Sequence, residues 1–343
     1  MGKKALVVGI DNYPGKLLSG CVNDARAVAQ LFARHGDGEP NFDVELITAP
    51  QPNADGSIPE PGDPETESSP KGGISKVLLG KKIHDLFAMG DSETIALFYF
   101  SGHGTITSVG GYVLTTDTQS YDEGVAMDEI LGYANHSPAG EKIIILDCCH
   151  SGAFGSPNIS GSNVSQLSEG MVVLTAARDS EQAMETKGHG IFTSLLVEAM
   201  NGAAADLLGQ VTPGAIYHYA DQALGEWEQR PVFKTNVKKW TPLRKVPPGP
   251  GSPAIPRDTL RRIINYFPHP EDEHKLSPDY ELSDPSHDDA KVQILQDLQA
   301  FVSGDLVVPV GEQHMYWAAM HSKSCKLTPF GQRYWQLVKH NRI

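Results

Sequence analysis

Cysteine is scarce in this chain: four residues in 343, two of them adjacent at Cys148 and Cys149. So sparse a set excludes the disulfide framework of a small secreted domain, and reduced thiols with a catalytic role become the reading to test. Long apolar runs are also missing. In the opening stretch MGKKALVVGIDNYPG the apolar run covers about six residues, too short for a signal-peptide core or a membrane span. Leu6 stands where a myristoylation motif needs Ser or Thr, which argues against lipidation. A cytoplasmic protein without a membrane partner is expected.

Positive charge is in deficit. The chain has 28 Lys+Arg against 42 Asp+Glu, a formal charge of −14. Residues 1–250 hold 18 basic against 30 acidic residues, a balance of −12, and residues 251–343 hold 10 against 12. Such a surface repels nucleic acid and favours cationic ligands or peptides. Apolar residues at 40% and charged residues at 20% are ordinary for a globular protein. The length allows one large and one small domain, each with its own core.

What is present alternates in type. KALVVGI (4–10), FDVELIT (42–48), ETIALFYF (93–100), EKIIIL (141–146), MVVLTAA (171–177) and RPVFKT (230–235) read as strands. Between them, 20–36, ISKVLLGKKIHDLFAMG, AMDEILGYA, 191–201 and 213–226 have helical spacing of apolar residues. This βαβ order predicts an α/β domain with a mainly parallel sheet sandwiched by helices. Residues 49–73 lack apolar periodicity and are rich in Pro, Gly and Ser, so an exposed loop is expected there.

Residues 242–256 contain six prolines and read as an extended linker. They would divide a domain at 1–241 from a regulatory or recruitment domain at 257–343. The tail suggests a small α+β unit, with a winged-helix-like arrangement as one form it could take. In its last segment Thr328 is placed to cap a helix begun by Pro329.

Two strand ends concentrate chemistry. LFYFSGHGT runs an apolar strand into Ser101, Gly102, His103 and Gly104, and EKIIILDCCHSG runs another into Asp147, Cys148, Cys149 and His150. Ligands of open α/β sheets bind beyond such carboxyl ends. Neighbouring parallel strands would bring His103 and Cys149, 46 positions apart, to one edge of the sheet. An imidazole can take the proton of a thiol on attack and return it to a leaving amine. The backbone N–H groups of Gly104 and Cys149 could then form an oxyanion hole. A zinc site from the same cysteines and histidines is the competing reading, but adjacent cysteines at a strand end point to opposite sides.

At these motifs the chain resembles the caspase and metacaspase superfamily of cysteine proteases, whose signatures put the histidine about 50 residues before the cysteine. YFSGHG and DCCHSG look like the metacaspase and bacterial caspase-like pattern, in which the nucleophile directly precedes His-Ser-Gly. That implies Cys149, not Cys148. The likeness runs from KALVVGIDNYP through VVLTAARDSEQAMET and HGIFTSLLVEAMNG to RPVFKT. GCVNDA (20–25) resembles the segment whose aspartate helps form the primary specificity pocket, which implies Asp24 there, with Asp147 and Ser101 beside it. Two carboxylates suit a guanidinium or ammonium group, so the implied activity is a Cys-His cysteine endopeptidase cutting proteins after Arg or Lys. A catalytically silent scaffold or adaptor of the same fold is the alternative.

The resemblance implies no organic cofactor. It raises calcium, because many metacaspases bind it through surface acids, and Asp117 and Asp128 fall near matching positions. Met127 and the acid-free stretch after the nucleophile motif depart from that pattern. Residues 153–170 contain no Lys or Arg, so with a basic-specific pocket self-cleavage points to Lys71, Lys187, Arg244 or Lys245. Residues 313–343 hold five Lys or Arg and no acid. A regulatory protein partner of the tail is favoured over nucleic acid, since the larger domain is acidic.

Overall fold

In the computed structural model, which describes residues 2–59, 61, 67–108, 110–119, 124–148, 167–176, 185–186, 189–224, 230–238, 241–247 and 255–343, each apolar run named above forms a strand. The chain begins with β1 (Lys3–Ile10), α1 (Cys21–Ala33), β2 (Asp43–Ala49), β3 (Glu67–Ser68), α2 (Lys76–Ala88) and β4 (Ile95–Ser101). It continues with β5 (Gly104–Thr107), β6 (Gly110–Val113), β7 (Val125–Ala126), α3 (Met127–Asn135), β8 (Glu141–Asp147) and β9 (Met171–Thr175). Then come β10 (Glu185–Thr186), β11 (His189–Gly190), α4 (Ile191–Glu198), β12 (Gln210–Val211), α5 (Pro213–Ala223), β13 (Val232–Asn236) and β14 (Arg244–Lys245).

Among the described residues seven strands make one sheet in the order β13-β9-β8-β4-β1-β2-β3. Every pair is parallel except β13 against β9. All seven residues of β4 are buried, because helices cover both faces of the sheet. Phe98 and Phe100 enter one apolar layer with Ile83 and Phe87 of α2 and Ile130 of α3. Leu97 and Tyr99 enter the other with Ala25 and Phe32 of α1, Leu196 of α4 and Ile216 of α5. Full burial of each Leu, Ile or Phe side chain among them contributes about 1.5–3 kcal/mol.

Helix starts follow local chemistry where a capping residue is present. Ser75 accepts from Leu78 N at the head of α2, and Thr212 accepts from Ala215 N with Pro213 in the first turn of α5. Gly20 supplies no such cap for α1. Its substitute comes from β1's exit: Asp11 Oδ1 accepts from Cys21 N at 2.9 Å.

The expected loop at 49–73 is interrupted by β3, which pairs with β2 through Leu46–Glu67 and Ile47–Ser68. Glu67 is buried and takes a two-pronged hydrogen bond from Arg26 of α1, with the Thr48 hydroxyl donating at 2.6 Å. A single carboxylate anchors this strand, so no hydrophobic period announces it.

The chain forms two compact units, residues 1–205 with 210–246 and residues 206–209 with 247–343. The proline-rich stretch therefore carries structure at its start, where Arg244–Lys245 pairs antiparallel with Gln210–Val211. The second unit contains α6 (Arg257–Arg261), α7 (Ile263–Tyr266), β15 (Glu273–Lys275), α8 (Asp289–Ser303), β16 (Val307–Val310), α9 (Met315–Met320), β17 (Ser324–Leu327) and α10 (Pro329–Lys339). Its three strands form an antiparallel sheet in the order β15-β17-β16. Phe267, Leu298, Phe301 and Val307 centre its core. Thr328 accepts from Gly331 N and caps α10, as its position before Pro329 predicts.

Candidate active site

β1 has β2 on one side and β4 on the other, so the chain order reverses at β1 and opens a crevice at the carboxyl ends. Gly9 of β1, Ser101 of β4 and Asp147 of β8 lie in one register across that edge. Side chains that follow these positions, or enter from α1, converge there.

His103 is held from two directions. Its backbone N–H donates to the Tyr13 hydroxyl at 3.0 Å, and that hydroxyl in turn donates to Leu114 O at 3.3 Å. The two rings lie 4.6 Å apart at 53°. Nε2 of the imidazole lies 3.0 Å from the carbonyl oxygen of Lys16. A carbonyl can only accept, so Nε2 carries the proton and Nδ1 is the basic nitrogen. Gly102 is required just before it: a Cβ there would stand 2.3 Å from the Tyr13 hydroxyl.

Asp24 and Asp147 are buried at 1% and 5% exposure, beside Ser101 at 2%. Asp24 Oδ2 accepts from Gly190 N at 3.0 Å and from Ser101 Oγ at 3.4 Å. Asp147 Oδ2 accepts from Thr193 Oγ1 at 2.5 Å. A Cβ on Gly190 would lie 2.5 Å from Asp147 Oδ2 and 3.3 Å from Asp24 Oδ2, so both carboxylates flank that one glycine. Gly190 is also the cap residue of α4, whose N-terminal dipole favours negative charge.

The model of the caspase domain matches residues 2–239. The chain belongs to this family of peptidases. Metacaspase-4 of Arabidopsis thaliana is 30% identical over 166 residues, which is 45% of this chain and 34% of that protein. The chain thus spans about a third of the length of the curated relative it matches. Among solved structures, protein GSU0716 from Geobacter sulfurreducens aligns with 72% of this chain and 100% of its own at 15% identity and a TM-score of 0.47. The family is one of cysteine peptidases, for which proteins are the substrates. Among the described residues no helix is long and apolar enough to cross a membrane.

Within this caspase domain Cys149 lies outside the described residues, as does His150. Its neighbour Cys148 is fully buried in the apolar layer that holds Leu146 and Val173. Cys21 is buried too, and desolvation pushes its thiol far above the ordinary range. Neither is built to ionise as a nucleophile. Gly104 opens β5 opposite Val113, directly after His103, whose carbonyl accepts from Leu114 N.

The two candidate calcium ligands have separate settings. Asp117 Oδ1 accepts from Lys76 N at 3.0 Å and from Thr115 Oγ1 at 2.7 Å, which makes it a cap for α2. Asp128 lies in the first turn of α3. Among the described residues no group of three or more His, Cys, Asp or Glu converges as metal ligands do. Of the proposed self-cleavage positions, Lys71 is exposed in a turn, whereas the Arg244 guanidinium donates to Met200 O, Asn201 Oδ1 and Arg34 O. Lys187 lies outside the described residues.

Several residues of the site escape sequence reading: Tyr13, the Lys16 carbonyl, Tyr99, Gly190 and Thr193. Tyr13 stands within the strand exit DNYPG, but nothing in that string specifies a bond to a residue 90 positions on.

Proposed function

We propose that this protein is a cysteine endopeptidase that cuts polypeptides after Arg or Lys, with Cys149 as nucleophile and His103 as general base. The observation that carries the reading is the pair of buried carboxylates, Asp24 and Asp147, flanking Gly190 beside the strand that leads to His103. A pocket for an acidic side chain would need cations where these two anions stand. A guanidinium or ammonium group satisfies both through charge-assisted bonds.

In this mechanism the Cys149 sulfur forms a bond to the scissile carbonyl carbon while its proton passes to His103 Nδ1. The Nε2–H bond to Lys16 O holds the tautomer and steadies the imidazolium. Backbone N–H groups of Gly104 and Cys149 take the oxyanion. The imidazolium then protonates the departing amine, and water cleaves the thioester by the same base. Calcium enters as an outcome of the test, since Asp117 caps a helix. Residues 257–343 regulate or recruit by binding a protein partner, and self-cleavage falls at an exposed basic residue, Lys71 in its turn or Lys245 at the end of β14.

The test is hydrolysis of fluorogenic peptides ending in Arg, Lys or Asp, by the full chain and by Cys149→Ala, with calcium and with chelator. Cleavage after Arg or Lys that vanishes in the variant is expected. Cleavage after Asp overturns the pocket assignment, and no cleavage in any condition favours the scaffold alternative.

A further inference from the structure

The pocket aspartates are buried like charges, so something must fix their spacing. The first turn of α4 does this on one side. Gly190 N–H donates to Asp24 and the Thr193 hydroxyl donates to Asp147. Two residues at one helix start thus serve both carboxylates. The Thr193 oxygen lies 2.6 Å from the Tyr99 hydroxyl. A threonine hydroxyl has one proton, and the carboxylate takes it, so Tyr99 must be the donor of the second bond. The chain Tyr99 O–H to Thr193 O–H to Asp147 is therefore directional.

Tyr99 is fully buried on β4, and desolvation together with the nearby Asp147 and Asp24 pushes its phenol well above its ordinary value. The phenol therefore keeps its proton and its role as donor. Its position in the sheet, in register with Val7 and Ile145, makes it a rigid anchor. Polar bonds in series polarise one another and lock geometry in a low-dielectric interior. Gly190 has the opposite task. Any side chain there would enter the gap between the two carboxylates.

We infer that Thr193, backed by Tyr99, and the bare Cα of Gly190 are specificity-determining positions that hold Asp147 and Asp24 at the spacing a planar guanidinium needs, favouring Arg over Lys before the cut. This rests on the proposed basic-specific pocket. Thr193 and Tyr99 are positioning residues, acting through Asp147. Arginine is the more demanding ligand because two fixed forks must meet two carboxylates, whereas an ammonium on a flexible stem tolerates misplacement.

The experiment compares the full chain with Thr193→Val, Thr193→Ser, Tyr99→Phe and Gly190→Ala. It reads kcat and KM on matched Arg and Lys peptides, and the alkylation rate by neutral iodoacetamide, which needs no pocket. Thr193→Val is nearly isosteric and is expected to raise KM for the Arg peptide about tenfold or more, with a smaller change for Lys. Alkylation stays at the wild-type rate, and Thr193→Ser restores the Arg preference. Tyr99→Phe shifts the Arg/Lys ratio in the same direction by less, and Gly190→Ala abolishes it. If wild type prefers Arg and Thr193→Val keeps both that preference and its KM, the inference fails while the pocket reading stands. If wild type shows no preference for basic residues, both fail. A loss of alkylation and melting temperature in Thr193→Val that Thr193→Ser does not repair marks a merely structural role and also overturns it.

Discussion

The backbone amide of His103 is bonded to the side chain of Tyr13, with the imidazole packed on the phenol ring at 4.6 Å. A residue at the exit of β1 therefore positions the proposed general base at the exit of β4. Tyr13→Phe keeps the ring contact but removes the acceptor of His103 N–H and the donor to Leu114 O. The expected result is a fall in kcat of about tenfold with KM little changed, because small misplacements of a reacting group are costly. Thermal melting should register a loss of about 1–2 kcal/mol.

Asp24 and Asp147 flank the same glycine but have different hydrogen-bond partners. Asp24→Asn and Asp147→Asn should each lower kcat/KM on Arg peptides by about a hundredfold, the scale of a lost bond to a charged group. Iodoacetamide labelling of Cys149 should be unaffected. Equal loss of labelling would mean that the carboxylates support the fold or the nucleophile instead of the substrate.

Glu67 is a buried acid whose partner Arg26 lies on α1. Glu67→Ala leaves the arginine without its carboxylate and removes the anchor of β3. A loss of about 1.5–3 kcal/mol is expected, the scale of a lost bond to a charged group, because Arg26 keeps part of its side chain in water. The released segment should be cut faster by trypsin at Lys71, followed on a denaturing gel.

Asp117 distinguishes a helix cap from a calcium ligand. Asp117→Ala should cost about 1 kcal/mol, read as a lower melting temperature that is the same with calcium as with chelator. A destabilisation that appears only when calcium is present in the wild-type comparison would assign the carboxylate to the ion.

In the second unit His274 is half-buried between two tyrosines: Nδ1 donates to Tyr266 O at 3.0 Å and Nε2 lies 3.1 Å from the Tyr280 hydroxyl. Desolvation, partly opposed by the bond to Tyr266 O, holds its pKa below 6.5. Between that lowered value and 6.5 the unfolded chain binds more protons, so stability rises with pH and is lost as pH falls from about 6.5. Melting curves between pH 7 and 5 should show this loss. His274→Gln, which cannot titrate, should flatten part of it.

Much of this was legible because the signal was local. Six runs became six strands of one sheet; β1, β4, β8 and β9 are apolar almost throughout because both their faces are covered. Ser75, Thr212 and Thr328 cap their helices from adjacent positions. Glu67–Ser68 was not legible as a strand, because it is two residues long and Glu67 finds its partner, the half-buried Arg26, 41 positions away. Nor was the strand at Arg244–Lys245, which lies in a proline-rich string and pairs with Gln210–Val211.

The site divides in the same way. Sequence by itself determined the family and the residues at the strand ends, Ser101, His103 and Asp147, because chemistry placed directly after an apolar strand lies at the carboxyl edge of a parallel sheet. Tertiary structure alone decided that Tyr13 holds His103, that the Lys16 carbonyl sets its tautomer, and that Thr193, Tyr99 and Gly190 frame the two aspartates. The reason is physical. A strand or a cap is specified by neighbours within a few residues, whereas a directional hydrogen bond between residues 46 or 90 positions apart exists only once packing has brought its donor and acceptor together.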